Sequence, residues 1–126
     1  MKTENKSKFV KGSIKDNSVK GYFVGRFLGE RGFPNQETEE VEIAWKKLGP
    51  DDSYSEGHFH KGGVEVNIVI DGNCRMVVNG EKLELSKGDF LIVYPEAVLS
   101  NFEVPEIVEM IVVKAPSVSD DKFNVK

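Results

Sequence analysis

Two dipeptides, Asp71-Gly72 and Asn79-Gly80, close consecutive strand-like runs, Val64 to Ile70 and Arg75 to Val78. A two-residue type I′ turn needs positive φ at both central positions. Asn or Asp followed by Gly supplies this, so each pair predicts a tight reversal between antiparallel strands. The rest of the chain keeps that scale. Val41 to Lys46 alternates with period two and puts Val41, Ile43 and Trp45 on one face of a half-buried strand, and Gly49-Pro50-Asp51-Asp52 is turn chemistry. Phe90 to Tyr94 is a continuous apolar run and Ile107 to Val113 is apolar but for Glu109; both are predicted as central strands buried on both faces. Apolar Tyr22 to Leu28 is followed by a loop with Gly32, Pro34 and Asn35, and no segment carries a helical period. Short strands separated by turn signals predict an all-β domain, either closed or sandwich-like.

With 126 residues there is room for one domain, which at this size buries ~65–70% of its unfolded surface. Residues 1–20 read as a polar, partly mobile N-terminal arm and residues 21–126 as the barrel domain. The net charge of −4 is far from the basic field that nucleic acid or an anionic membrane surface requires. The longest apolar run, Phe90 to Tyr94, falls well short of the ~20 residues that span a bilayer. Cys74 is the only cysteine, so no internal disulfide forms, and the arm holds six lysines and two acids without the apolar stretch of a secretory signal. These features predict a soluble, cytoplasmic protein with neither nucleic acid nor membrane as a partner.

The only two histidines stand two residues apart in His58-Phe59-His60, and strand alternation points both rings to one face. Imidazole is the commonest protein metal ligand, and same-face rings can approach one ion at ~2.0–2.1 Å. Lys61-Gly62-Gly63 permits a tight reversal, after which Glu65 can present a carboxylate to the same ion. Two imidazoles and one carboxylate suit a divalent metal ion; the set is associated with non-haem iron, and zinc, manganese or nickel would also accept it.

These residues resemble the first motif of the cupin family: His58-x-His60, four residues, Glu65, six residues, Gly72, with Gly57 just before. Gly88-Asp89, the apolar Phe90 to Tyr94 and Pro95 resemble the start of the second motif, so the likeness spans roughly residues 40–115. It implies a double-stranded β-helix, or jelly-roll, barrel with His58, His60 and Glu65 as metal ligands. The second motif of metal-complete cupins supplies one more histidine. Here that position falls on Ser100, or on Leu99 in the other register, which leaves the fourth position to water, substrate or Asn101. The closing Lys114-Ala115-Pro116-Ser117, with Asp121-Lys122, is similar to the tail of small cupins, some of them associated with bacterial sugar metabolism.

Glu65 and Asn67 share one face of their strand, and Val64, Val66, Ile68 and Ile70 occupy the other. If the polar side lines a barrel, the apolar side needs a cover, which is either a second subunit in a homodimer or the N-terminal segment. Cys74 reads as a small core residue, Trp45 and Tyr94 as packing aromatics, and Glu96 as a surface carboxylate in a turn. Two functions fit. One is a metal-dependent enzyme, an oxygenase or an isomerase or epimerase, acting on a small organic or sugar-like substrate. The other is a metal-free, non-catalytic cupin that binds a small molecule.

Overall fold

The structure, a computed structural model, describes residues 8–119 and 121–125, so the first seven residues of the expected arm lie outside the described residues. Nine strands run in chain order: β1 (Tyr22–Val24), β2 (Glu42–Leu48), β3 (Gly57–His60), β4 (Val64–Val78), β5 (Glu81–Ser86), β6 (Phe90–Val93), β7 (Leu99–Glu103), β8 (Val108–Ala115) and β9 (Lys122–Val125). The helical pieces among the described residues are two 3-10 turns, Pro34–Gln36 and Pro50–Asp52, each opened by a proline whose fixed φ suits that position. Every strand pair is antiparallel. The first half of β4 lies between β8 and β6, and its second half between β5 and β7. The strands thereby form two layers that share β4, β1-β2-β8-β4-β6 and β5-β4-β7-β3-β9. Val69, Cys74, Met76, Leu99, Phe102 and Met110 pack between them. The architecture is the expected all-β jelly-roll barrel.

Asn79-Gly80 makes the predicted hairpin between β4 and β5, with φ of 49° and 84°. Asp71-Gly72 does not end a strand. β4 continues through it, its register against β8 slips between Val69 and Asp71, and Gly72 takes φ 80°. A Cβ at Gly72 would collide with the Ile107 carbonyl oxygen. The positive φ that would have closed a hairpin is used for a bulge that carries β4 from one layer into the other.

Direct cross-strand partners lie on one face of a sheet, so the register fixes what faces where. Two apolar rows cross the outside of the first layer: Ile92, Val66, Val113 and Ile43, then Phe90, Ile68, Ile111 and Trp45. The inner rows are Val93, Glu65, Lys114 and Glu42, then Leu91, Asn67, Val112 and Ala44. The apolar face of β2 is therefore the outer one, and Glu42, Ala44, Lys46 and Leu48 point inward. Phe90 to Tyr94 is not buried on both faces. Among the described residues β6 pairs only with β4, and Phe90, Ile92 and Tyr94 remain 65, 40 and 64% exposed. β8 is central as predicted, but it starts at Val108 and leaves Ile107 exposed. A continuous apolar run reads the same whether its second face is covered by its own chain or left bare. Of the two residues read as packing aromatics, Tyr94 is largely exposed, and Trp45 lies on the outer face with Nε1 donating to Glu109 Oε2 at 2.6 Å. Cys74 is the expected core residue, fully buried, with burial pushing its thiol up to about 11. Glu96 sits exposed at φ 74° after Pro95, the turn carboxylate it was read as.

Candidate metal centre

β3 pairs with β9 along its length and with β7 at His58. Its alternation sends His58 and His60 into the barrel and Phe59 outward, where the ring stacks on Phe123 at 5.4 Å. A Cβ on Gly63 would stand 2.6 Å from the Ala115 carbonyl oxygen, so glycine is required for the reversal to pack against the end of β8. Glu65 then enters on the inner face of β4. One donor atom from each of His58, His60 and Glu65 lies within 4.8 Å of the others, so the structure brings all three predicted residues together.

The surroundings prepare these atoms. His60 Nδ1 stands 3.2 Å from the backbone oxygen of Asp121. A carbonyl only accepts, so Nδ1 carries the proton and Nε2 is left facing Glu65 Oε1 at 3.2 Å. In the neutral ring that is a lone pair opposite a carboxylate oxygen. The arrangement is satisfied by a cation between them or by a second proton on the ring. Two ligands bound at ~2.0–2.2 Å to one ion sit ~3–4 Å apart, and this pair already has that separation. Asn67 Nδ2 donates to the second oxygen of Glu65 at 3.1 Å. Burial alone would raise the Glu65 carboxyl, but His60 beside it, the hydrogen bond from Asn67 and the nearby His58 ring hold it below the usual carboxylate range. Burial, with Lys122 adding to it, lowers His58 and favours the neutral, ligating form. The donor set thus fits a divalent ion: two imidazoles, one fixed by a backbone carbonyl, and one ionised carboxylate.

Two residues that the sequence reading placed only in the tail support the centre. Asp121 Oδ1 accepts from the backbone N–H groups of Lys61 at 3.0 Å and Gly62 at 2.7 Å, which fixes the turn between the ligands. Its Oδ2 lies 3.0 Å from Lys114 Nζ and 3.7 Å from His60 Nδ1. Burial works to raise the Asp121 carboxyl, and Lys114 and the two N–H donors bring it below its usual range. Lys114 is directly across from Glu65. The signal that marks it in the sequence is a lysine at an inward position after Val108, Met110 and Val112.

The site opens into a cavity of about 760 Å³. Tyr54, which sequence reasoning did not single out, lines it, with its ring 5.4 Å from Phe102 and 5.9 Å from His58. Burial first, then the Glu65 charge, pushes its phenol up to about 12, so it remains a hydroxyl donor at any physiological pH. Leu99 is the direct partner of His58, lines the cavity and is 6% exposed. Ser100 follows on the opposite face. Asn101 is exposed at φ 49°, in a bulge that returns Phe102 to the interior. Neither Ser100 nor Asn101 lines the cavity, which corrects Asn101 as a candidate for the fourth position. The Leu99 register is the one adopted, and it places an apolar side chain beside the imidazoles.

The sequence matches the family described as the cupin domain over residues 44–113, 70 of the 126. No curated protein matches it. Several solved structures share the fold. A cupin protein from Bacteroides fragilis is 16% identical, with 92% of this chain and 88% of that chain covered and a TM-score of 0.60. An uncharacterised conserved protein with a double-stranded β-helix domain from Klebsiella pneumoniae is 18% identical, with 96% and 99% covered and a TM-score of 0.66. A variant of Streptomyces Pac13 with uridine, a protein described as a nucleoside dehydratase, is 16% identical, with 95% and 93% covered and a TM-score of 0.68. These likenesses, at under 20% identity, concern the fold. The match over more than half of the sequence, on a barrel that carries the first motif's residues in its interior, makes this chain a member of the cupin domain family.

Proposed function

We propose that the barrel is a metal-dependent enzyme acting on a small organic molecule, of the oxygenase or the isomerase and epimerase type, with a divalent ion held by His58, His60 and Glu65. The observation that carries this is the facing pair, His60 Nε2 and Glu65 Oε1 at 3.2 Å, in a ring whose other nitrogen is committed to the Asp121 carbonyl. A bound ion would supply Lewis acidity toward a substrate oxygen. The chain's own groups do the rest. Asp121 and Lys114 orient His60, Asn67 orients Glu65, Tyr54 offers a protonated hydroxyl at the cavity wall, and Leu99 and Phe102 keep one side of the site dry. The structures of Streptomyces Pac13 support the reading that such a barrel can take up a small molecule. The second reading, a metal-free binding protein, is favoured by one observation, the leucine at the partner position of His58.

The deciding measurement is elemental analysis of untagged protein purified without chelators, beside a His60→Ala variant. Stoichiometric metal in the parent and its loss in the variant are expected. A metal-free parent that also fails to take up added zinc or ferrous ion would leave the binding-protein reading.

A second copy of the chain is the partner we assign to the outer face. Trp45, Phe90, Ile92 and Tyr94 are 37, 65, 40 and 64% exposed and leave roughly 400 Å² of mostly apolar surface in water, the size at which patches mark interfaces. The half-buried residues between them extend the two rows toward the ~800 Å² that each partner contributes to a standard interface.

A further inference from the structure

The charges that line the cavity do not match those of the protein. The chain carries −4 overall, yet six basic side chains line the cavity against three carboxylates, Glu42, Glu65 and Asp121. All three carboxylates are engaged. Asp121 pairs with Lys114, Glu65 with His60 and Asn67, and Glu42 Oε1 accepts from the Ser117 hydroxyl at 3.0 Å. Lys114 is the only one of the six cations that has an ion pair among the described residues.

Two of the others are held by aromatic rings. Lys46 Nζ lies 5.0 Å from the centre of the Tyr22 ring, Tyr22 is edge-on to Phe27 at 5.4 Å, and Arg26 Cζ lies 5.6 Å from the Phe27 ring. This continuous ladder of cation, ring, ring and cation forms one wall of the cavity. A ring face fixes a cation without neutralising it, so the charge of both remains available. Arg26 Nε is buried and has no hydrogen-bond partner among the described residues. A donor left in that state costs free energy unless a ligand completes it.

Hydrogen bonds and strand pairing connect this wall to the metal centre. The Arg26 backbone N–H donates to Ser117 Oγ, and that hydroxyl donates to Glu42. Glu42 and Glu65 flank Lys114 on the two neighbouring strands. Glu42 and Glu65 thus stand two strand spacings, ~10 Å, apart.

We infer that the cavity takes a small organic anion, a carboxylate or phosphate ester drawn to the charged wall that Arg26 and Lys46 form, while its other end reaches His58, His60 and Glu65. The planar guanidinium suits either oxyanion as a bidentate acceptor, and Lys46 adds a point charge. The inference rests on reading this cavity as the substrate site, but the charge recognition itself needs no metal.

The test is calorimetric titration of the full chain, chelator-treated and zinc-loaded, with D-glucuronate, D-glucose 6-phosphate and neutral D-glucose. Both anions, or the one whose oxyanion fits, should bind at least roughly tenfold more tightly than glucose, the scale of one charge-assisted contact. Arg26→Gln and Lys46→Gln should each erase most of that preference, and Arg75→Gln, at the exposed Glu103 pair outside the cavity, should leave it intact. Lys46→Gln answers the question if Arg26→Gln does not fold. The order of the two anions separates carboxylate from phosphate. An anion preference that persists while zinc never binds would uphold the inference and sink the metal reading. Stoichiometric zinc with equal affinity for all three ligands would do the opposite. No measurable binding of either anion at millimolar concentration, in either form, overturns the inference.

Discussion

Leu99→His tests the geometry of the centre most directly, because Leu99 is the cross-strand partner of His58 and an imidazole there enters the same space. In the metal-free protein the change is unfavourable. It removes a leucine that is 6% exposed and puts a polar ring in its place, at a cost of ~1–3 kcal/mol if the ring finds no partner. With metal the sign reverses. Losing a group that merely orients a ligand costs ~10–100-fold in metal affinity, so adding a ligand should gain at least that. At a fixed, saturating metal concentration the same factor is ~1.4–2.7 kcal/mol of extra stability. For 126 residues, at ~2.1 cal/mol/K of unfolding entropy per residue, that is a further ~5–10 °C in Tm. The assay is thermal unfolding of parent, Leu99→His and Ser100→His, each with zinc and with chelator. Taking the difference within each variant cancels the cost of the substitution itself. Ser100→His puts the same ring on the other face and should behave as the parent does. An equal metal increment in all three folded proteins would refute the claim that His58, Leu99 and Glu65 surround one coordination site.

Asp121→Asn should destabilise the protein at neutral pH. The carboxyl's folded pKa lies below its unfolded value, so its contribution is full above about pH 4 and is lost as pH falls through the folded value. Chemical denaturation should therefore show a gap between parent and variant that narrows below pH ~4, and a gap independent of pH would mean that charge is not what Asp121 contributes. Sedimentation of the parent should give the mass of two chains and Phe90→Glu with Ile92→Glu that of one, both folded, since these side chains are largely exposed. A monomeric parent would remove the second copy from the outer face.

Much of this was legible in the sequence. The His58-x-His60 pair and Glu65 could be read because strand alternation and a glycine reversal are local rules, and the structure brings the three side chains together. Asn79-Gly80 was legible for the same reason. Asp71-Gly72 was not, because positive φ serves a hairpin and a bulge equally, and only the distant contact with Ile107 selects between them. Lys114 and Asp121 were out of reach for a related reason. Their pairing joins the end of β8 to the start of β9, and nothing local says that this carboxylate meets that lysine beside His60. The register of the second motif depended on one residue in a strand with a bulge at Asn101, and a one-residue slip exchanges Leu99 for Ser100.

The faces of β2, β4 and β8 carry the deeper difficulty. Their period-two patterns separate an apolar side from a mixed one, and in a dry sandwich the apolar side would be the inside. Here Glu42, Lys46, Glu65, Asn67 and Lys114 point inward, while Ile43, Val66, Ile68, Ile111 and Val113 point out. A barrel filled only by packing would not keep such groups, because each buried charge costs several kcal/mol unless it is paired and hydrogen-bonded. Lys114 and Glu65 are paired, but the half-buried side chains of Lys46 and Arg26 meet rings rather than carboxylates among the described residues. An interior in that state is what the proposed ligand site would require. The inversion of the pattern becomes readable once the His-x-His motif has said which side of the sheet is inside, and it is the feature on which the proposed site rests.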